Sequence, residues 1–252
     1  MTRVAVLGAF GKMGRAVVEA VRDADGLELV AAVDPSHAGE RLEGLEVVGS
    51  LEAVAGAEVA VDFTRPDAVL ANLEVCLARG IHAVVGTTGI SPDDHERIAA
   101  WCAAGGANAI VAPNFSVGAV LSQRLAELAA PHFPAVEVIE LHHDQKVDAP
   151  SGTAAATARR IAAARKESWA GPDAESVPGV RGGAVDGVRV HSVRLPGLVA
   201  HQEILFGGLG QTLSIRHDTT DRTSFMPGVL LAIAQVASRP GLTVGLEPLL
   251  GL

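Results

Sequence analysis

Short runs of β-branched and aliphatic residues alternate along this chain with longer stretches whose apolar positions recur at helical spacing, a pattern that predicts an α/β protein built on a parallel sheet. Val4-Ala5-Val6-Leu7 is apolar without interruption, as a strand buried on both faces is. Residues 27–33 read as a second strand, 57–64 as a third with its exit, and 82–85 and 109–111 as two more. Several of these runs deliver small polar residues at their ends, where open parallel sheets bind ligands. Gly86-Thr87-Thr88-Gly89 follows one, and Ala112-Pro113-Asn114-Phe115 follows another. The helix after Gly89 opens on Ser91-Pro92-Asp93-Asp94, an N-cap with proline at the first helical position.

After Phe115 the pattern changes, and a second domain is expected to begin there. A helix starts at Ser116-Val117-Gly118-Ala119-Val120-Leu121, and an alternating strand covers 136–140. An Ala-rich helix follows from Thr153. Residues 169–187 are rich in Gly, Pro and acidic side chains without periodicity, which predicts a long surface loop. Strands are expected at 188–195, 201–206 and 212–217, the last two joined as a hairpin by Gly207-Gly208-Leu209-Gly210. With 136–140 they make a small mixed sheet. A final apolar helix is expected at 229–237, opened by Asp221-Arg222-Thr223-Ser224-Phe225-Met226-Pro227-Gly228.

A length of 252 residues suffices for two domains, each with its own core. Aromatic residues make up only 3% and Tyr is absent, so the cores rest on Ala, Val, Leu and Ile. Few stacking rings and a formal net charge of −9 argue against nucleic acid as a partner. Met1-Thr2-Arg3 leads straight into a core strand and no apolar run is of bilayer-spanning length, so a cytoplasmic protein without a membrane partner is expected. Cys76 and Cys102 lie far apart within helical segments and read as buried small hydrophobes. Of nine His residues only His142-His143 are paired, without the Cys or carboxylate spacing of a zinc site, so no metal is expected.

Chemistry concentrates in Glu140-Leu141-His142-His143-Asp144-Gln145-Lys146-Val147-Asp148-Ala149-Pro150-Ser151-Gly152-Thr153-Ala154, a strand-to-helix loop. Pro150 bars helix before Ser151, which becomes the N-cap and leaves the Gly152 and Thr153 N–H groups free to meet an oxyanion at the positive end of the helix dipole. The Ser151 and Thr153 hydroxyls add donors. His142 and His143 leave a continuous strand on opposite faces, so both reach one small ligand only where the strand has broken. Lys146, four residues after His142, is placed to share its pocket and to donate a proton or pair with a carboxylate. The stretch therefore suits a carboxylate-bearing substrate.

The first strand runs into Gly8-Ala9-Phe10-Gly11-Lys12-Met13-Gly14-Arg15 and then a helix, a strand–glycine turn–helix unit with G-x-x-G-x-x-G spacing in place of the usual G-x-G-x-x-G. The second strand ends in Asp34, about twenty residues after the last glycine, where a carboxylate accepts ribose hydroxyls. That carboxylate repels an added 2′-phosphate and so favours NADH, with Lys12 or Arg15 offering enough positive charge for NADPH to be tolerated. Polar residues on the later strands, His191, Arg194, His201 and Arg216, are expected to face solvent or a partner subunit.

The segment from His142 to Ala154 closely resembles the signature of the 4-hydroxy-tetrahydrodipicolinate reductase family, formerly called dihydrodipicolinate reductases, of the bacterial diaminopimelate and lysine pathway. The resemblance implies His142 as proton donor and acceptor, Lys146 as proton donor, and His143 with Gly152 and Thr153 as substrate-binding residues. It extends to the N-terminal turn, where the family has the same glycine spacing and a Met at the position of Met13. It implies that the Gly86-Thr87-Thr88 turn and Ala112, Pro113, Asn114 and Phe115 line the nicotinamide side of the cofactor, with Phe63, Gly8, Ala9, Phe10, Gly11, Lys12, Met13 and Asp34 completing that site. Some members carry Arg directly after the acidic residue for the 2′-phosphate, whereas this chain has Pro35-Ser36-His37. The implied architecture is a Rossmann-like dinucleotide-binding domain, 1–114 and 223–252, with the last helix returning to it, plus a smaller α+β domain with an open mixed sheet, 115–222. The family also implies a homotetramer assembled through that sheet. Two other readings fit parts of the pattern: a dehydrogenase of another amino acid or imine, separable by a substrate panel, and a nucleotide-sensing protein without turnover, which has no need of His142 and Lys146.

Overall fold

The structure, a computed structural model, describes every residue except 166–170 and 172–173. The chain forms two compact units, Met1–Val117 with Arg222–Leu252, and Gly118–Asp221.

The first unit follows the strand–helix alternation of its sequence. In chain order it holds β1 (Thr2–Leu7), α1 (Lys12–Asp23), β2 (Leu27–Val33), β3 (Arg41–Leu42), β4 (Leu45–Val48), β5 (Val59–Asp62), α2 (Val69–Ala78), β6 (His82–Val85), α3 (Pro92–Gly105) and β7 (Ala109–Val111). Helix α4 (Val117–Ala129) leads out of it, and α6 (Met226–Val236), β13 (Leu242–Val244) and α7 (Glu247–Leu250) come later in the chain. Among the described residues its sheet has eight strands in the order β13-β7-β6-β5-β1-β2-β4-β3. All neighbours are parallel except β3 with β4. The chain builds outward from β1 through β2 and β4, then returns to β5, β6 and β7 on the other side, so the order reverses beside β1. At such a reversal the loops leaving the strand ends diverge and open a crevice for a ligand.

Burial explains these elements. Val4, Ala5, Val6 and Leu7 are all at most 2% exposed, as the uninterrupted apolar run requires. Leu73, Leu77, Ile98 and Cys102 from α2 and α3 pack on Ala83, Val85, Ala109 and Val111. Helix α1 buries Gly14, Val17, Val18 and Val21, one stripe at helical spacing. Helix α6, expected from Val229, starts at Met226, because Pro227 is tolerated in its first turn. The sequence pattern misses β3, β4 and β13, runs of two to four residues too short to show a period.

The second unit carries most of α4, then β8 (Ala135–His142), α5 (Gly152–Ala164), β9 (Gly183–Val185), β10 (Val188–Arg194), β11 (Ala200–Gly208) and β12 (Gln211–Thr219). Its sheet, of five strands among the described residues, runs β12-β11-β8-β10-β9. Strands β8 and β10 are parallel and the other pairs antiparallel. The mixed sheet expected from four strands gains β9, which emerges inside the expected 169–187 loop by pairing antiparallel with β10; part of that loop lies outside the described residues. The hairpin turn shortens to Leu209-Gly210, because β11 continues through Gly207 and Gly208. Alternation on β8 sends Val136, Val138 and Glu140 inward, against Ala126 of α4 and Ala154, Ala158 and Ile161 of α5. The opposite face carries ion pairs: His191 and Arg181 with Glu137, and Arg216 with Glu203 and Asp218, which also pairs with His201.

Candidate active site

In the second unit the site grows from the inward face of β8. Glu140 follows Val136 and Val138 on that face and is fully buried, where a lone carboxylate is costly. Arg194 answers it from β10 with a two-pronged contact, Nη1 to Oε2 at 2.9 Å and Nη2 to Oε1 at 2.8 Å. The Ser151 backbone N–H donates to Oε1 at 3.3 Å, and His142 Nδ1 lies 2.5 Å from Oε2. Burial opposes ionisation of Glu140, but the hydrogen bonds from Arg194, Ser192 and His142 outweigh it and hold the carboxyl below its ordinary pKa. His142 is also lowered: burial leads, the Glu140 hydrogen bond and charge pull the other way, and the Lys146 and Arg194 charges add to the lowering.

The expected loop residues surround this core. Strand β8 runs two residues past Glu140 and ends at His142, so His143 is released from strand alternation and the obstacle to both rings reaching one ligand is removed. A turn from Lys146 N–H to the His143 carbonyl brings the lysine back towards the strand end. Lys146 Nζ donates to Asp148 Oδ1 at 2.6 Å, and its charge is felt at His142. Arg194 Nη2 also donates to the Asp148 carbonyl at 2.6 Å, tying the loop to β10. Ser151 is the N-cap of α5 as expected, its hydroxyl accepting from Ala154 N–H at 3.1 Å, but it is 3% exposed and turned to the fold rather than outward. Gly152 is exposed with open space where a side chain would stand, and Thr153 is half-buried beside it. The first intrahelical donor is Ala155, to the Ser151 carbonyl, so the Gly152 and Thr153 N–H groups lie in the unfilled first turn.

In the first unit the remaining expected residues gather at the strand ends of β1, β2, β5, β6 and β7, neighbours in the sheet. Gly8 has φ +74°, and a Cβ there would stand 2.5 Å from the Phe63 carbonyl oxygen. At Gly14 a Cβ would stand 2.0 Å from the Gly8 carbonyl, so α1 starts pressed against the turn. No side chain caps α1 at Gly11 and its first turn holds no acidic residue, which leaves the positive end open to a phosphate. Gly11 and Lys12 are exposed, Phe10 and Met13 half-buried and Ala9 buried. Asp34 accepts from Phe10 N–H at 3.2 Å through Oδ2 and from Ser36 N–H at 3.1 Å through Oδ1, with His37 Nδ1 also 3.1 Å from Oδ1. A carboxylate has about four acceptor directions, so capacity remains for a ribose hydroxyl. The His37 ring stacks on Phe10 at 4.2 Å, and the Arg15 guanidinium lies 3.8 Å over Phe10. An open helix end beside a free acceptor fits a dinucleotide.

Gly86 lies against the Phe63 ring, and Phe63 packs on Phe115 at 5.8 Å. Phe115 and Ala112 are 2% and 1% exposed, so their side chains serve the core and only their backbone is placed to reach a ligand. Thr88 and Pro113 are exposed, and Asn114 Oδ1 accepts from Ser116 N–H. Thr87 is buried, its hydroxyl donating to Asp62 Oδ1 at 2.7 Å.

Sequence reasoning gave no role to three residues. Asp62, 1% exposed, also accepts from the Thr64 N–H and hydroxyl and from the Asn72 amide, so it ties the exits of β5 and β6 together. Its signal is a carboxylate closing an apolar strand. Glu140 and Arg194 are the others, and Arg194 corrects the expectation that it faces solvent or a partner: it shares the inward parity of Val188 and Val190. His191, His201 and Arg216 do lie on the polar face. Among the described residues there is no group of three or more His, Cys, Asp or Glu placed to hold a metal, and no helix long and apolar enough to cross a membrane. Cys76 and Cys102 are buried and unbridged.

Comparison with known proteins agrees over both units. Residues 2–115 match the family model described as dihydrodipicolinate reductase, N-terminus, and residues 118–250 the one described as dihydrodipicolinate reductase, C-terminus. The chain is 56% identical over 255 residues to the 4-hydroxy-tetrahydrodipicolinate reductase of Nocardia farcinica and 54% identical over 253 residues to that of Mycobacterium ulcerans, in each case across 99% of both chains. Among solved structures it resembles the dipicolinate-bound dihydrodipicolinate reductase of Paenisporosarcina sp. TG-14, with a TM-score of 0.90 and 42% identity over 98% of this chain and 99% of that one. An amine dehydrogenase of Mycobacterium smegmatis, 16% identical over 96% of this chain and 94% of that one with a TM-score of 0.63, shares the fold alone.

Proposed function

This chain belongs to the dihydrodipicolinate reductase family, and from that premise we propose how its residues divide the work of the family's reaction. It is an oxidoreductase of diaminopimelate and lysine biosynthesis that reduces 4-hydroxy-tetrahydrodipicolinate to tetrahydrodipicolinate with NAD(P)H. Overall, the substrate loses water, and hydride and a proton add to the resulting unsaturated ring. The bound nicotinamide supplies the hydride. The protein must fix the dicarboxylate and deliver the proton that balances the charge.

The observation that carries the assignment is the cluster of His142, Lys146 and the open first turn of α5 on one loop anchored to buried Glu140. One substrate carboxylate lies against the Gly152 and Thr153 N–H groups and the Thr153 hydroxyl, with His143 contributing, while Ser151 shapes the turn from behind. His142 and Lys146 carry the proton chemistry. In the first unit, residues 8–13 receive the pyrophosphate and Asp34 the adenine-side ribose. Phe63, the Gly86-Thr87-Thr88 turn and Ala112-Pro113-Asn114-Phe115 line the nicotinamide side. Asp34 favours NADH, with NADPH tolerated, since no Arg follows it and Arg15 is engaged over Phe10. The natural test follows cofactor oxidation with enzymatically generated 4-hydroxy-tetrahydrodipicolinate against a no-substrate control. Turnover with kcat/KM for NADH at or above that for NADPH is expected; a more than tenfold advantage of NADPH removes the role given to Asp34.

We also propose a homotetramer, assembled through the polar face of the second unit's sheet, where Glu137, His191, Glu203 and Arg216 stand. Sedimentation equilibrium should return four times the chain mass. A monomer at micromolar concentration rejects this assembly.

A further inference from the structure

Building on the assignment of His142 to proton chemistry, we infer that Glu140 and Arg194 are a positioning pair that holds the His142 imidazole with its proton on Nδ1 and presents Nε2 to the substrate as a bare lone pair. Position 140 continues the inward row of Val136 and Val138, where an aliphatic side chain would pack at no electrostatic cost, yet the residue is a fully buried carboxylate. Parallel pairing sets Ser192 opposite Glu140 and Arg194 opposite His142, which lets the guanidinium grip both carboxylate oxygens. A carboxylate held this way only accepts, so the imidazole nitrogen facing it must be the donor. A neutral ring has one N–H, and committing it to Nδ1 leaves Nε2 as an acceptor.

The charged groups around the ring fix its state. Glu140 from its own strand favours the imidazolium; Arg194 from β10 and Lys146 from the loop disfavour it, with burial on their side, and the facing residue of β11 is the uncharged Ala200. The net shift is downward, so near neutrality the ring is uncharged. At that pH His142 takes a proton rather than gives one. The same logic governs the buried acid of hydrolase triads, which selects a histidine tautomer without itself touching substrate.

The test is a pH titration of ring nitrogen-15 shifts in the full-length protein labelled at histidine, with His142 identified by its absence in His142→Gln. The expected wild-type spectrum has a protonated Nδ1, a lone-pair Nε2 and a midpoint below the ordinary 6.5. Glu140→Gln should mix the tautomers and lower the midpoint by about one unit, because a charge that favours the imidazolium is gone. Arg194→Gln should move it upward, because a charge that disfavours it is gone. Turnover of Glu140→Gln should fall about 10- to 100-fold with cofactor KM unchanged. A wild-type ring protonated on Nε2, or a Glu140→Gln protein with the same tautomer and midpoint as wild type, overturns the pairing. Should Glu140→Gln not fold, the wild-type tautomer and Arg194→Gln still decide, an unmoved midpoint in the latter counting as refutation. Near-wild-type turnover in His142→Gln is a different failure: it overturns the catalytic reading, and with it the purpose given to the pair, whatever the tautomer.

Discussion

His142 and Lys146 reached one loop by different physics. His142 is fixed by its place on a strand and by Glu140, whereas Lys146 is returned by a turn to the His143 carbonyl and held by Asp148. A group that transfers the proton in the rate-limiting step is worth about 10²–10⁴ in rate. Lys146→Ala should therefore lower kcat by roughly that factor with cofactor binding little changed, as measured by single-turnover kinetics and cofactor titration. Thr153→Val should act differently, raising substrate KM while sparing kcat, because it weakens capture of a carboxylate present in ground and transition states alike. An unchanged KM in Thr153→Val rejects the anion cradle. At this scale the sequence was informative about residue types and spacing, and silent about burial: Ser151 and Thr87 look like outward hydroxyls in the sequence and are turned inward in the fold.

At the scale of elements, the legible features were those with a local cause. Proline before Ser151 and the Ala-rich run after it set the start of α5, and the apolar run at 4–7 set β1. Strands β3, β4, β9 and β13 were not legible, since pieces of two to four residues are stabilised by the neighbour they pair with and not by their own pattern. The glycine turn is the element most sensitive to a single atom. Gly14→Ala places a methyl 2.0 Å from the Gly8 carbonyl oxygen, a backbone atom that cannot swing aside. Overpacking of this kind costs about 1–3 kcal/mol. Thermal unfolding of Gly14→Ala should show a midpoint several degrees below wild type together with weaker dinucleotide binding; an unshifted midpoint refutes the close packing of α1 on the turn.

For the whole molecule, the titrating groups set a stability window. His82, His142 and His217 all have pKa values lowered from 6.5, chiefly by burial, so the unfolded chain binds their protons first as pH falls. The stability they contribute is complete above about pH 6.5 and declines below it. Glu140, lowered from 4.5, adds a second loss at more acid pH, present in full above its unfolded value and gone once pH falls through the folded one. In the other direction, burial pushes the Cys76 thiol up to about 12 and raises Cys102 as well. Their unfolded thiols ionise from about pH 9, so stability declines above that value. Urea midpoints measured across pH should form a plateau between about 6.5 and 9 with losses on both flanks. A midpoint still rising as pH drops from 6 to 5 contradicts the buried neutral histidines.

What the sequence determined by itself is what neighbours along the chain decide. Alternation and helical spacing set the α/β class, the glycine spacing after the first strand pointed to a dinucleotide, and the run from His142 to Thr153 gathered the candidate proton carriers and anion donors. What only the tertiary structure decided is which strands pair. Glu140 and Arg194 are 54 residues apart, and nothing local to either selects the parallel register of β8 with β10 that brings them together. Strand parity is a property of a few consecutive residues, whereas register is chosen by the burial and hydrogen bonding of a whole sheet at once, so a residue that acts through a distant partner becomes visible only when the sheet is formed.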